Sequence, residues 1–138
     1  MLRKDARVEL LRKVPLFAEC SKKELGELAS IADELDIREG KTLTTEGSIG
    51  REFFVLIDGG ARVSRNGRKL ADLGPGDWFG EMALLTREPR MATVVATAPV
   101  RTLVVADRDF RGAMRRYPSI AAKILRCVAV RVARNAQS

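Results

Sequence analysis

Hydrophobic residues recur at helical spacing near both ends of the chain and at strand spacing between them. Near the N-terminus, Ala6, Leu10 and Val14 follow one another every four residues, which is the spacing of one helix face. The sequence SKKE at 21–24 is a capping box, whose side chains satisfy free backbone N–H groups at a helix start. An apolar stripe follows it: Leu25, Leu28, Ala29 and Ala32. These patterns predict helices over about 5–34.

From Gly40 the pattern changes to short runs of strand-forming residues, separated by glycine and proline. The runs are KTLTT, EFFVLI, ARVSR, RKLADL, MATVVAT and VRTLVVA. Asn66-Gly67 lies between two of them and is typical of a tight hairpin, because both residues tolerate a positive φ angle. Short strands at regular spacing predict an antiparallel jelly roll (β-roll) over about 40–106.

Helical spacing returns after this β-rich region. Asp107 is a candidate N-cap, and Tyr117-Pro118 divides the segment into two helices, since proline suits the first helical position. The second helix carries an apolar stripe of Ile120, Ile124, Val128 and Val132. With these helices placed at about 107–135, the prediction is a mainly β protein with flanking helices, in a single domain over 1–138.

Length and composition limit the catalytic and metal-binding functions that the chain can have. The 138 residues suit one domain with a hydrophobic core. The chain has no histidine, which removes the imidazole base and the usual nucleophile and zinc motifs, so we expect no enzyme, catalytic residue or metal site. Cys20 and Cys127 are read as two core thiols in a reducing compartment. Without a signal peptide or a membrane-spanning run, a cytoplasmic location is expected.

The charge of +7 keeps nucleic acid or another acidic partner under consideration. The excess is concentrated from Asp107 onward, where eight basic residues accompany two acidic ones. A solvated helix face accounts for such a run better than a functional patch does.

The stretch GDWFGEMALLTREPRMATVVA at 76–96 holds the most specific pattern of chemistry-bearing residues. Gly80 lets a ligand approach the backbone, and EMALL favours a short helix whose first N–H groups attract an anion. Behind Pro89, Arg90 offers a planar charged fork that suits phosphate. Glu81 accepts hydrogen bonds only, so it requires a hydroxyl. A phosphate with one free hydroxyl nearby, as in a 3′,5′-cyclic nucleotide, meets these needs, although other sugar phosphates do too.

The segment FGEMALLTREPRMATV at 79–94 closely resembles the phosphate-binding cassette of cyclic nucleotide-binding domains. That family includes protein kinase A regulatory subunits, gated channels and the catabolite activator protein. The likeness extends to VPLFAECSKKELGELA and EGSIGREFFVLIDGGARV, and covers about residues 8–134. It implies a β-roll that binds a cyclic nucleotide and signals by moving its C-terminal helices.

By position, the resemblance assigns the phosphate to the turn and to Arg90. Gly80 and Ala83, with Met82 between them, would offer backbone N–H groups to it, and Arg90 would pair with its exocyclic oxygens. Glu81 would bind the ribose 2′-OH.

Three further positions bear on the base and sugar. Met91 stands where the family commonly has a small or hydroxyl residue, and serine or threonine there makes extra contacts, in some members to guanine. Because methionine has no donor, cAMP is expected as the ligand rather than cGMP, with no other cofactor. Val63 and Leu70 match positions that face the base or sugar, and an ordinary role in the β-roll core explains them equally well.

The resemblance also implies a moving cap, for which Val128, Arg131 and Val132 are the candidates. An effector protein or domain would receive the signal. Since the chain stops at Ser138, about where a helix-turn-helix begins in transcription regulators of the family, DNA binding is not expected. Two alternatives stay open: a non-binding member that serves as a dimerisation or docking module through its last helix, and a basic protein that binds nucleic acid.

Overall fold

The computed structural model describes residues 2–137, with side chains described as far as Val130 and again at Ala133. The chain divides into two compact units. A helical unit combines the segment up to Ile31 with the segment from Asp109 onward, and a sheet unit comprises Ala32–Arg108. The single domain expected from the sequence stays a prediction. None of the helices in the described residues is both long and apolar enough to span a bilayer.

The helices follow the predicted local signals closely. In the described part of the chain they are α1 (Lys4–Arg12), α2 (Lys22–Ser30), α3 (Asp107–Arg116) and α4 (Pro118–Gln137), with a 3-10 helix at Pro15–Phe17. The capping box is confirmed: the Glu24 N–H donates to Ser21 Oγ at 3.1 Å, and the Ser21 N–H donates to Glu24 Oε1 at 2.7 Å. The predicted break at Tyr117-Pro118 is confirmed as well, because α3 ends and α4 begins there.

Glu24 also organises a buried polar cluster in the helical unit. Its side chain is almost fully buried, and its carboxylate accepts hydrogen bonds from the Ser119 hydroxyl and the Lys123 ammonium. Burial raises the pKa of Glu24, but the hydrogen bonds from Lys123, Ser119 and Ser21 outweigh burial and lower it to about 2. The cluster is therefore a buried charge with its partners in place, as such charges require.

The two cysteines are free thiols, and both lie in the helical unit. Cys20 is buried, and burial raises its pKa to about 11. Cys127 is only half-buried, and its thiol donates to the Pro15 carbonyl at 3.2 Å. The prediction of two core thiols is therefore confirmed for Cys20 alone.

The sheet unit is the predicted antiparallel β-roll. Among the described residues its strands are β1 (Asp33–Ile37), β2 (Thr42–Thr44), β3 (Glu52–Asp58), β4 (Ala61–Arg65), β5 (Arg68–Leu73), β6 (Trp78–Phe79), β7 (Thr93–Ala96) and β8 (Val100–Ala106). They form two sheets with strand orders β1-β8-β3-β6 and β2-β7-β4-β5, and all the pairs are antiparallel.

The start of the roll differs from the sequence prediction, which extended the helices to about 34 and began the strands at about 40. The helix ends at Ser30, and β1 already occupies Asp33–Ile37, where it pairs with β8 from Asp33↔Val104 to Ile37↔Val100. The sequence DELDI is acidic and weakly strand-forming. Pairing with β8, about 65 positions away, supplies the hydrogen bonds that its own composition does not indicate.

The hairpin between β4 and β5 confirms the Asn66-Gly67 turn, with φ angles of 53° and 77°. Beyond it the register slips, because Val63 pairs with Ala71 while Ser64 pairs with Lys69. Leu70 is left as the extra residue of a β-bulge and is 52% exposed.

The core of the sheet unit includes a buried cluster drawn from β3, β4, β7 and β8: Leu56, Ala61, Val94, Ala96 and Val100. Partly buried apolar side chains pack against it, among them Val63 and Phe79. The same two side chains reach the cavity described next.

Candidate ligand-binding cavity

A cavity of about 360 Å³ opens in the sheet unit, within the range of about 300–1,000 Å³ that is usual for small-molecule sites. Its apolar wall comes from the strands through Val63, Phe79 and Val94. Charged side chains reach it from the segment between β6 and β7, notably Glu81 and Arg90. The site thus combines an apolar wall with a few polar groups, as ligand cavities generally do.

The turn after β6 forms one side of the cavity. Gly80 adopts the left-handed conformation with φ 81°, which favours glycine, and a four-residue 3-10 helix follows at Glu81–Leu84. The Ala83 N–H donates to the Gly80 carbonyl at 3.0 Å, so this amide already has an acceptor within the turn. The short helix expected from EMALL is present, but a single turn aligns few peptide dipoles, and its attraction for an anion is correspondingly weak.

The backbone that carries Arg90 is held on both sides. The Arg90 N–H donates to the Ser48 carbonyl at 2.7 Å, and the Gly47 N–H donates to the Arg90 carbonyl at 2.8 Å. An isolated bridge between Ile49 and Pro89 adjoins these bonds. Arg90 therefore enters the cavity from a backbone that is fixed by the loop before β3.

The Arg90 side chain is half-buried, and its Nη2 donates to the Glu52 carbonyl at 2.7 Å. Burial lowers the pKa of Arg90, and the negative charge of Glu52 partly opposes that shift. The guanidinium nevertheless stays protonated at neutral pH. Among the residues that the structure describes, none forms a salt bridge with Arg90. Its charge is accordingly available to an anion in the cavity.

Most of the residues singled out by the sequence line this cavity: Val63, Gly80, Glu81, Met82, Ala83, Arg90 and Met91. Met82 and Met91 lie at the rim, 46% and 72% exposed. Val63 belongs both to the cavity wall and to the packed core, so the ligand-facing and the core interpretations of that residue both apply. Leu70 is not among the described lining residues, because the bulge in β5 directs it elsewhere. The contacts of these residues with a ligand stay predictions.

The cavity also includes residues that the sequence analysis did not single out, such as Thr44, Gly50, Phe79 and Thr86. Phe79 stacks on Phe54 with ring centroids 4.7 Å apart, and its place beside Gly80 was a usable signal. Thr44 and Thr86 carried no such sequence signal, because only the folding of the roll brings β2 and the segment after the 3-10 helix to the same cavity.

The remaining predicted residues concern the cap. Val128 lies on α4 in the helical unit and is half-buried. The side chains of Arg131 and Val132 lie outside the described residues. For metal binding, no group of three or more His, Cys, Asp or Glu residues in the described chain is arranged to hold an ion.

Comparison with known proteins gives this cavity a context. A model of the cyclic nucleotide-binding domain matches residues 34–117, which include every cavity residue named above. Over 114 residues the chain is 36% identical to a cAMP-dependent protein kinase regulatory subunit of Mycosarcoma maydis. That alignment covers 74% of this chain and 21% of the regulatory subunit.

Solved structures of related proteins are also similar to this chain. The N-terminal domain of a transcriptional regulator from Streptomyces coelicolor A3(2) matches with a TM-score of 0.86 and 30% identity, covering 94% of this chain and 96% of that domain. The catabolite activator protein of Thermus thermophilus matches with a TM-score of 0.71 and 31% identity, covering 89% of this chain and 60% of that protein. Among the curated relatives, the chain spans 21% of the length of the kinase subunit and 31% of another.

Proposed function

The chain belongs to the cyclic nucleotide-binding domain family, and from this membership we propose that its sheet unit binds a 3′,5′-cyclic nucleotide in the cavity beside Arg90. The observation that carries the proposal is the state of Arg90. Its guanidinium reaches the cavity, is held by a main-chain carbonyl, and forms no salt bridge within the described residues. A singly charged cyclic phosphate would supply the missing counter-charge.

The rest of the cavity suits the rest of such a ligand. Glu81 lines the cavity, and its carboxylate would accept a hydrogen bond from the 2′-OH of the ribose. Apolar contacts with Val63 and Phe79 would cover the sugar and base. The Gly80 turn would let the phosphate approach the backbone, where Met82 and Ala83 follow.

Among cyclic nucleotides, we propose cAMP rather than cGMP. Met91 lies at the rim of the cavity and is largely exposed, and its side chain offers no hydrogen-bond donor to guanine. The similarity to a cAMP-dependent kinase regulatory subunit supports the same choice. The proposed activity is binding, with no chemical step and no cofactor besides the ligand.

In its biological role the domain would be a cytoplasmic regulatory module. Ligand binding would change the position of the C-terminal helices, with Val128, Arg131 and Val132 as cap residues, and an effector protein or domain would respond. DNA binding is not part of the proposal, which rests on the cavity in the sheet unit.

A second candidate function is docking or homodimerisation through α4. Leu125 is 70% exposed and Val130 is 44% exposed on that helix, so both offer apolar surface that a partner or a second copy would cover. Analytical ultracentrifugation of wild type and Leu125→Glu tests the homodimer: a dimer that the substitution dissociates supports it, and a wild-type monomer contradicts it.

Isothermal titration calorimetry with cAMP, cGMP and 5′-AMP tests the main proposal. We expect saturable 1:1 binding of cAMP, weaker binding of cGMP, and much weaker binding of 5′-AMP, whose phosphate is an open dianion. Absence of binding by both cyclic nucleotides would refute the proposed function. Equal or reversed affinities of cAMP and cGMP would refute only the selectivity.

A further inference from the structure

Gly50 lies against the Arg90 side chain, although its own backbone does not require glycine. It is not among the glycines with positive φ in the described chain. A Cβ atom at Gly50 would nevertheless collide with Arg90 Nε, and it would lie 2.5 Å from Cζ and 2.8 Å from Cδ. Carbon atoms are not found this close to non-bonded neighbours. Glycine at position 50 is therefore explained by the space that Arg90 occupies.

Gly80 borders the same guanidinium at its other end. A Cβ atom at Gly80 would lie 2.5 Å from Arg90 Nη1 and 3.0 Å from the Glu52 carbonyl oxygen that accepts from Nη2. Gly80 has a second reason to be glycine, because its φ is 81°. The guanidinium thus lies in a slot bounded by Gly50 and Gly80 and closed by one main-chain acceptor. Of these two glycines, Gly80 is also required by its backbone angle, whereas Gly50 is required only by the space that Arg90 fills.

We propose that Gly50 is a positioning residue for Arg90: its missing side chain creates the slot that fixes the guanidinium at the cavity. The expected effect on affinity rests on the proposed function, whereas the slot itself does not. A methyl group at position 50 would force the side chain away from the Glu52 carbonyl and from the position in which it meets an anion. A side chain that is not held in place beforehand must be ordered when the ligand binds, and that cost lowers the affinity for the ligand.

A change at Gly50 should therefore weaken binding without weakening the fold. Replacement of glycine by alanine at an ordinary φ angle restricts the unfolded chain and generally raises stability slightly. The displaced arginine is long and half-buried, so it has solvent-facing conformations available. An undiminished melting temperature together with reduced affinity is the signature of positioning rather than of general damage.

The matched control is Gly74→Ala. Gly74 also lacks a positive φ angle, a Cβ atom there would meet nothing within 4 Å, and the residue is outside the described lining. In a cAMP titration we expect Gly50→Ala to weaken binding at least about tenfold, and Gly74→Ala to stay within about twofold of wild type. Wild-type affinity in Gly50→Ala would overturn the proposal.

A double-substitution cycle shows whether Gly50 acts through Arg90. In an Arg90→Lys background the slot no longer holds a guanidinium, so adding Gly50→Ala should reduce the affinity much less than it does in wild type. An equal reduction in both backgrounds would mean that Gly50 acts on the ligand or on its loop, and would overturn the proposal. If Gly50→Ala alone lowers the melting temperature, Gly50→Ala/Arg90→Ala should restore it, because the collision is gone.

A ligand-free measurement separates this proposal from the proposed function. The Nε–H resonance of Arg90 in a ¹⁵N–¹H spectrum is assigned by its loss in Arg90→Lys. Gly50→Ala should shift it and Gly74→Ala should not; a resonance unmoved by Gly50→Ala contradicts the slot. A wild-type protein that binds no cyclic nucleotide would refute the proposed function, while this comparison would still decide the role of Gly50.

Discussion

Glu24 in the helical unit and Arg90 in the sheet unit are charged side chains that lie in contrasting environments. The Glu24 carboxylate is buried and accepts from the Ser21 N–H, the Ser119 hydroxyl and the Lys123 ammonium. The Arg90 guanidinium is half-buried and donates to one main-chain carbonyl. The shifts in pKa differ accordingly: hydrogen bonds hold the pKa of Glu24 far below its usual value, whereas desolvation lowers that of Arg90.

The difference teaches how to distinguish a charge that is neutralised within the fold from one that is available to a ligand. Where partners within the protein surround a buried charge, removing one partner destabilises the fold. Arg90 is instead fixed by neutral main-chain groups that orient it without cancelling its charge. We propose that Arg90 obtains on ligand binding the interaction energy that Glu24 obtains on folding.

The largest expected effect is on affinity, in Arg90→Ala. Loss of one partner of a buried charge pair generally costs about 2–5 kcal/mol, so affinity for cAMP should fall roughly thirtyfold to several thousandfold. Arg90→Lys should recover only part of it, since an ammonium lacks the planar fork. Thermal melting with and without cAMP measures both properties, because the ligand-induced shift depends on occupancy. The melting temperature without ligand should change little, and full thermal protection by cAMP in Arg90→Ala would place the phosphate elsewhere.

The next largest expected effect is on folding stability, and it arises from the ionisation of Glu24. Its pKa is about 2 in the folded state against 4.5 for an ordinary glutamate, so the folded state favours the ionised form. The resulting stabilisation, about 3 kcal/mol, is present above pH 4.5 and is lost as the pH falls through about 2. Other carboxylates titrate in the same range, so the measurement is the difference in unfolding free energy between wild type and Glu24→Gln across that range.

For Glu24→Gln we expect this difference to shrink steadily between pH 5 and about pH 2, as wild type loses the ionised carboxylate. Affinity for cAMP at neutral pH should be unchanged, in contrast to Arg90→Ala. A constant difference across the acid range would show that the charge of Glu24 contributes nothing, and a large loss of affinity would break the distinction between the two sites.

A smaller effect is expected for the ribose contact of Glu81. If its carboxylate accepts the 2′-OH, 2′-deoxy-cAMP leaves an acceptor unpaired, which costs about 1–3 kcal/mol or roughly ten- to a hundredfold in affinity. In Glu81→Ala, the affinities for the ribo and deoxy ligands should become similar. Competition calorimetry with both ligands measures this, and equal affinities in wild type would assign Glu81 another role.

The smallest effect concerns Met91 at the exposed rim. Met91→Thr introduces a hydroxyl that can meet guanine, and one such hydrogen bond is worth about 0.5–1.5 kcal/mol, or roughly two- to tenfold. The ratio of cGMP to cAMP affinity should rise by that factor, with the melting temperature unchanged because the side chain is 72% exposed. An unchanged ratio in parallel titrations would remove Met91 from the selectivity argument.

The sequence by itself determined the features whose causes lie within a few residues. The Ser21–Glu24 capping box, the hairpin at Asn66-Gly67 and the break at Tyr117-Pro118 depend on local hydrogen bonds and on permitted dihedral angles. The segment at 79–94 identified the β-roll and most of the cavity lining through its resemblance to a known cassette.

Only the tertiary structure decided the features that join distant segments. The strand at Asp33–Ile37 exists through its pairing with β8, and the bulge that turns Leu70 outward follows from the register between β4 and β5. Ser119 and Lys123 meet Glu24 across 95 and 99 positions of the chain. Gly50 meets Arg90 although strands β3 to β6 separate them in the chain, and neither local sequence gives a sign of the contact. In each case the partner is selected by the packing of the whole unit, and nothing within a few residues of either partner encodes that packing.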